Sequence, residues 1–426
     1  MSDEAREVLT YLTDELGSRF AGTEGESLAA DYVAEKMKEY GLKNVSKEGF
    51  EFQGWQRGST ELFVNDEILK DLSAIALPFC PPGEIEGELI DLGDGVEEEF
   101  ERDFKDKIVL VTSETPSHKK RWLHRGEKYS RAVEGGAAGF VFINHYPGNL
   151  PPTGSLRSNK IGEIPGIGVS KETGEMIKRT MKRKGKLKAK INVDAGTEKA
   201  TSYDVVGEIN PGGDETILIG GHMDGHDISQ GAEDNGAGIT TVLQVAKALA
   251  PFADKLDKTV KFVGFGAEEL GLIGSKKYIE TRGADDFDLV LNLDGPGRAR
   301  DLKFKTNEFH QLAELIRKFF EEEDYSATVE DKIGPHSDHW PFVTQGVPGC
   351  QVGPDTGEQG RGWGHTSADT LDKVDFRNIK ENSSIVARLV LFLQKEELSP
   401  QRKKPEDIVK LCKEQNREHE IDWLSS

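Results

Sequence analysis

From about Val205 to about Leu393 the chain alternates short apolar runs with amphipathic stretches, and this rhythm limits the fold more than any other feature. Thr216-Ile-Leu-Ile219 is followed by Ile239, Val242, Leu243, Ala246 and Leu249 at helical spacing. Thr259-Val-Lys-Phe-Val-Gly-Phe265 and Leu289-Val-Leu-Asn-Leu293 are the second and third strands, and Leu312, Leu315, Ile316 and Phe319 mark the helix after the third. Strands that are apolar throughout are covered on both faces, and strands separated by helices run parallel. The expected fold is α/β, a mixed, mainly parallel sheet sandwiched by helices.

The remainder of the chain has a different texture. Ala5, Val8, Leu9, Leu12 and Leu16, then Ala30, Val33 and Met37, give two amphipathic helices, with Gly41 as a stop. Between about Phe50 and Val193 short strands dominate, among them Glu61-Leu-Phe-Val64, Glu88-Leu-Ile-Asp-Leu92 and Lys107-Ile-Val-Leu-Val111. A length of 426 residues favours two or three domains. The expected division is residues 1–55 and 198–396 in the main domain, 56–197 as a β-rich insert, and 397–426 as a polar tail.

Composition excludes several classes. Seventy-six acidic against 55 basic residues give a net charge of −21, which disfavours nucleic-acid binding. No run of eighteen apolar residues is present to span a membrane. Three separated cysteines and the absence of a basic-then-apolar leader in MSDEAREVLTYL lead to the expectation of a cytoplasmic location. The basic stretch Lys178–Lys190 reads either as a solvated helix end with a protected edge strand or as a patch for an acidic partner.

The residues that carry chemistry sit just past the ends of strands, where open α/β sheets gather their sites. Gly220-Gly-His-Met-Asp-Gly-His226 follows the first strand, and Glu233-Asp-Asn-Gly-Ala-Gly238 opens the helix after it. Ala267-Glu-Glu-Leu270 follows the second strand, Asp294 ends the third, and Trp363-Gly-His-Thr-Ser-Ala-Asp-Thr370 comes late in a Gly-rich loop. Taken singly, each is explained as a turn, an N-cap or helix-start electrostatics. Together they offer histidine nitrogen and carboxylate oxygen from several segments, the donor set that suits zinc and, less selectively, manganese or cobalt. Adjacent Glu268 and Glu269 point in different directions, so one can bind metal while its neighbour moves a proton.

In these motifs the chain resembles the M28 metallopeptidases, a family of co-catalytic zinc aminopeptidases and carboxypeptidases. The segment Ala132–Ile143 looks like part of a protease-associated (PA) domain, found inserted in some members. The resemblance implies two divalent metal ions, zinc in the family, acting on a peptide substrate. It assigns one ion to His222 and Asp294, the other to Glu269 and His365, and makes Asp234 the bridge. Glu268 falls at the general base, acting on a water between the ions, and Asp224 at the residue that orients His222. A cis peptide at Asp234–Asn235 is also implied.

One departure concerns the oxyanion. Many relatives carry a tyrosine just before the last histidine, where this chain has Gly364, so His336 and His339 become candidate donors. Acidic site loops favour an aminopeptidase, which must hold a free amine. Arg125 or Arg361 would serve a carboxypeptidase instead. A receptor without hydrolytic activity and a single-zinc cyclotransferase are the alternatives of other classes.

Overall fold

In a computed structural model, residues 2–425 are described apart from 71, 120, 358, 359, 361, 399 and 400. The chain forms two compact units. The first comprises 1–52, 200–364 and 369–425, and the second 53–199 with 365–368. The units divide at 52/53 and 199/200.

The first unit is built on an eight-stranded sheet. Its order is Lys43–Gln56, Gly196–Ile209, Thr259–Phe265, Thr216–His222, Leu289–Leu293, Gly349–Pro354, Leu302–Lys305, Thr328–Glu330. The four central strands are mutually parallel. Gly196–Ile209 and Leu302–Lys305 flank them antiparallel, which makes the sheet mixed. Alternation of side chains along each strand puts apolar groups on both faces. Ile217, Ile219, Val260, Phe262 and Leu291 pack with Val8, Val33, Met37, Leu243 and Leu389 from the helices of one face. Leu218, Val263, Phe265 and Val290 meet Tyr278, Phe287 and Phe342 on the other.

The second unit holds a seven-stranded sheet, ordered Thr60–Val64, Lys188–Val193, Gly83–Asp91, Ile108–Thr112, Gly139–Ile143, Gly166–Val169, Ala74–Ala76. Its helices are Arg125–Glu134 and Lys171–Lys184. Four of the six lysines of the basic stretch face acids from elsewhere in the same unit. Lys178 is 3.4 Å from Asp91, Lys184 2.5 Å from Asp66, Lys186 3.0 Å from Glu88 and Lys190 2.8 Å from Glu84. This favours the solvated reading, because a polyanion would have to displace bound carboxylates.

The segment expected to be a polar tail is instead folded onto the first unit. Helices Pro405–Glu414 and Glu418–Ser425 follow the last core helix, and Ile408 and Cys412 are fully buried in the core of that unit. The apolar spacing is sparse because only one narrow stripe of the first of these helices faces inward.

Candidate metal centre

The strand Thr216–His222 delivers His222 into the sheet's carboxyl edge, in register with Phe265 of the neighbouring strand. The loop 223–231 follows, and a tight turn over Ala232–Gly236 enters the helix Ala237–Leu249. The peptide Asp234–Asn235 is cis. Asn235 ties this turn to the end of the third strand: its Nδ2 donates to Leu293 O at 2.9 Å and its Oδ1 accepts from Gly295 N at 2.9 Å. Asp294 is thereby held beside Asp234.

His222 Nε2 lies 3.3 Å from Asp234 Oδ1 and 4.0 Å from Asp294 Oδ1. Two ligands each about 2.0–2.1 Å from one tetrahedral ion are separated by roughly 3.3 Å, so the first pair already stands at ligand spacing. Ligand atoms of His222, Asp234 and Glu269 fall within 4.8 Å of one another. Asp294 Oδ2 accepts from Ser337 Oγ at 2.8 Å and from Gln351 Nε2 at 3.3 Å, which leaves Oδ1 directed at the cluster. Five of the seven residues singled out in the sequence, namely His222, Asp234, Asp294, Glu268 and Glu269, gather on this edge of one unit. Asp224 is the sixth. His365 belongs to the segment 365–368 of the other unit, with φ of 60° and its carbonyl accepting from Thr153 N at 2.9 Å.

Asp224 does more than orient an imidazole. Its carboxylate is 3.5 Å from His222 Nδ1, but its hydrogen bonds go to the amides of Glu268 and Glu269, each at 3.1 Å. The fully buried aspartate thus holds the Glu268–Glu269 turn from beneath, just after Ala267 in the left-handed region at φ 53°.

The electrostatics call for a cation. Burial and the neighbouring Glu269 push Glu268 well above the ordinary carboxylate range, and burial does the same to Glu269. Against a desolvation that lowers it, His222 is raised well above its usual value by Glu268, Asp224 and Asp234. A divalent ion among these oxygens reverses that pressure, since it favours ionised carboxylates and a neutral imidazole. The donors present therefore fit a metal.

Two participants lie inside the quoted motifs but have no role assigned from the sequence. His226, four residues after His222, is buried with Nε2 2.9 Å from Glu269 Oε2. Asp369 accepts from the amides of Glu233 and Asp234, at 2.7 and 3.1 Å, and so anchors the turn that carries Asp234. The i, i+4 histidines were the available signal for the first. Nothing local marks the second.

Residues residues 204–390 match the model described as peptidase family M28, and residues 85–177 match the PA domain. Residues 204–390 belong to peptidase family M28. Among curated proteins, the chain is 28% identical to aminopeptidase YwaD of Bacillus subtilis (strain 168), over 96% of this chain and 87% of the relative. It is 29% identical to leucine aminopeptidase 2 of Trichophyton rubrum, over 78% of this chain and 67% of that one. Among solved structures, BSAP, a zinc aminopeptidase from Bacillus subtilis, superposes with a TM-score of 0.72 at 25% identity, covering 94% of this chain and 97% of the other. A peptidase M28 precursor from Shewanella amazonensis SB2B shares the fold at a TM-score of 0.78 and 24% identity, with 94% and 95% covered.

The residues considered for the oxyanion and for a terminal carboxylate are otherwise engaged. His339 is fully buried with Nε2 donating to Gly334 O at 2.8 Å, and His336 Nε2 sits 3.1 Å from Glu420 Oε1 of the last helix. His339 thus braces its own loop and His336 the last helix. Arg125 is buried in the second unit, donating to the carbonyls of Ser155 and Thr153 at 3.0 and 3.3 Å. Gly154 wraps it so closely that an added Cβ would lie 2.2 Å from Nη2. Arg361 lies outside the described residues.

Proposed function

We propose that the chain is a zinc aminopeptidase that removes residues from the free amino end of peptides, using two metal ions and Glu268 as general base. The convergence of His222, Asp234, Asp294 and Glu269 on one sheet edge carries this reading. Support for the reaction class comes from relatives named aminopeptidase, and for the metal from the relative titled a zinc aminopeptidase. In this reading His222 and Asp294 would hold one ion, Glu269 and His365 the other, and Asp234 would be a ligand shared by both. Zinc held there supplies Lewis acidity toward the scissile carbonyl and the attacking water. Glu268 takes the proton of that water and returns it to the leaving amine. Asp224 keeps the Glu268 and Glu269 backbones in place while the proton moves.

Hydrolysis of free-amine and N-blocked dipeptides, each with and without a chelator, tests the substrate class. Chelator-sensitive cleavage of free-amine dipeptides alone is the expected result, and cleavage confined to N-blocked ones would make the protein a carboxypeptidase. Elemental analysis of the purified protein should give two metal ions per chain, and one would favour the cyclotransferase alternative.

A further inference from the structure

Arg19 lies between the N-terminal helix and the helix Glu24–Glu39, and it is fully buried. Each hydrogen bond of its guanidinium ends on a backbone carbonyl. Nε donates to Met223 O at 2.8 Å. Nη1 donates to Gln230 O at 2.7 Å, Leu12 O at 2.9 Å and Gly17 O at 3.2 Å, and Nη2 to Gly231 O at 2.8 Å. Met223 opens the loop that separates His222 from Asp234, and Gln230 and Gly231 close it. One planar fork therefore ties the two ends of that loop together. The fit is tight: an added Cβ on Gly231 would stand 3.1 Å from Nη2, and Gly225 N donates back to Arg19 O at 3.3 Å.

The charge is placed as deliberately as the fork. Among the described residues no carboxylate pairs with Arg19 directly, while Asp369, Asp224, Asp234 and Glu269 act on it through space. A buried cation satisfied by neutral carbonyls stays available to offset the acids around it. Seven residues on, Glu26 performs the matching task for the second loop. Its buried carboxylate accepts from Ala267 N at 3.2 Å, Gly22 N at 2.7 Å and Ser202 Oγ at 2.5 Å.

We infer that Arg19 is a positioning residue of the metal centre, whose guanidinium clamps loop 223–231 and so sets His222 against Asp234. The inference rests on the assignment of those two residues as ligands. A lysine keeps the charge but not the planar fork, and it cannot reach both ends of the loop at once.

The test compares the full-length wild type with Arg19→Lys, Arg19→Met and His222→Ala. Zinc affinity is read by chelator competition, and the melting temperatures of the zinc-free and zinc-loaded forms are read in parallel. Loss of an outer-shell support lowers metal affinity by about 10–100-fold. Arg19→Lys should fall in that range while its zinc-free form melts near the wild type, so the rise in Tm on adding zinc shrinks. If Arg19→Met fails to fold, Arg19→Lys decides alone. Zinc affinity of Arg19→Lys within twofold of wild type, with both forms destabilised equally, would reduce Arg19 to a structural residue and overturn the inference. His222→Ala must itself lose affinity. Wild-type binding in that variant would overturn the ligand assignment, whereas an effect there with none at Arg19 would sink the inference alone.

Discussion

Replacing Asp224 by asparagine isolates the support beneath the Glu268–Glu269 turn. The aspartate accepts two amide hydrogen bonds, each 3.1 Å, in a fully buried setting. Asparagine has one acceptor oxygen, so its amino group would confront the second N–H. A hydrogen bond to a charged group is worth about 1.5–3 kcal/mol, and a buried donor left unpaired costs about 1–3 kcal/mol. A combined loss of about 2–4 kcal/mol in the placement of Glu268 corresponds to roughly 30- to 1,000-fold in kcat/KM. Because proton transfer is realised only in the transition state, the loss should appear in kcat with KM little changed. The assay is hydrolysis of leucine p-nitroanilide at saturating zinc, with metal content measured on the same samples. If Asp224 acts through Glu268, adding Asp224→Asn to a Glu268→Ala background should cost little more. A kcat/KM within threefold of wild type, or full additivity of the two substitutions, would refute the argument.

Other expectations follow from the same geometry. Glu268→Ala should keep its metal and lose kcat by orders of magnitude, and near-normal turnover would remove Glu268 from the role of base. His339 supplies a pH signature. Burial pushes it down to about 3 from 6.5, so between those values the unfolded chain binds the extra proton and stability falls as pH falls. From pH 7.5 to 5.0 this amounts to about 2 kcal/mol. Chemical denaturation of chelated protein should show that loss in wild type and not in His339→Gln, whose amide can still donate to Gly334, and equal pH slopes would contradict it.

The parts of the fold legible in the sequence are those decided by short-range pattern. The apolar strands from Thr216 to Leu293 declare themselves because both their faces are covered. The site residues at their ends share a place that the topology makes functional. What the sequence hides is whatever depends on a partner far along the chain. Asp369 and Arg19 are single polar residues whose meaning lies in backbone groups they meet only after folding. Arg125 reads as surface or as a substrate contact until the carbonyls of residues 153 and 155 surround it. The C-terminal helices are obscured for a related reason, since one thin apolar stripe with Ile408 and Cys412 suffices to dock them.

The reach of Arg19 and Glu26 also bears on how the protein is made. Arg19 awaits Met223, 204 residues later, and Glu26 awaits Ala267, 241 residues later. During synthesis these two side chains first meet only their near neighbours, Leu12 and Gly17 for Arg19 and Gly22 for Glu26, while the strands of residues 53–199 have their partners at hand. The unit that holds Arg19 and Glu26 can therefore be completed only after residues 53–199 have been made, so its last contacts close late in folding.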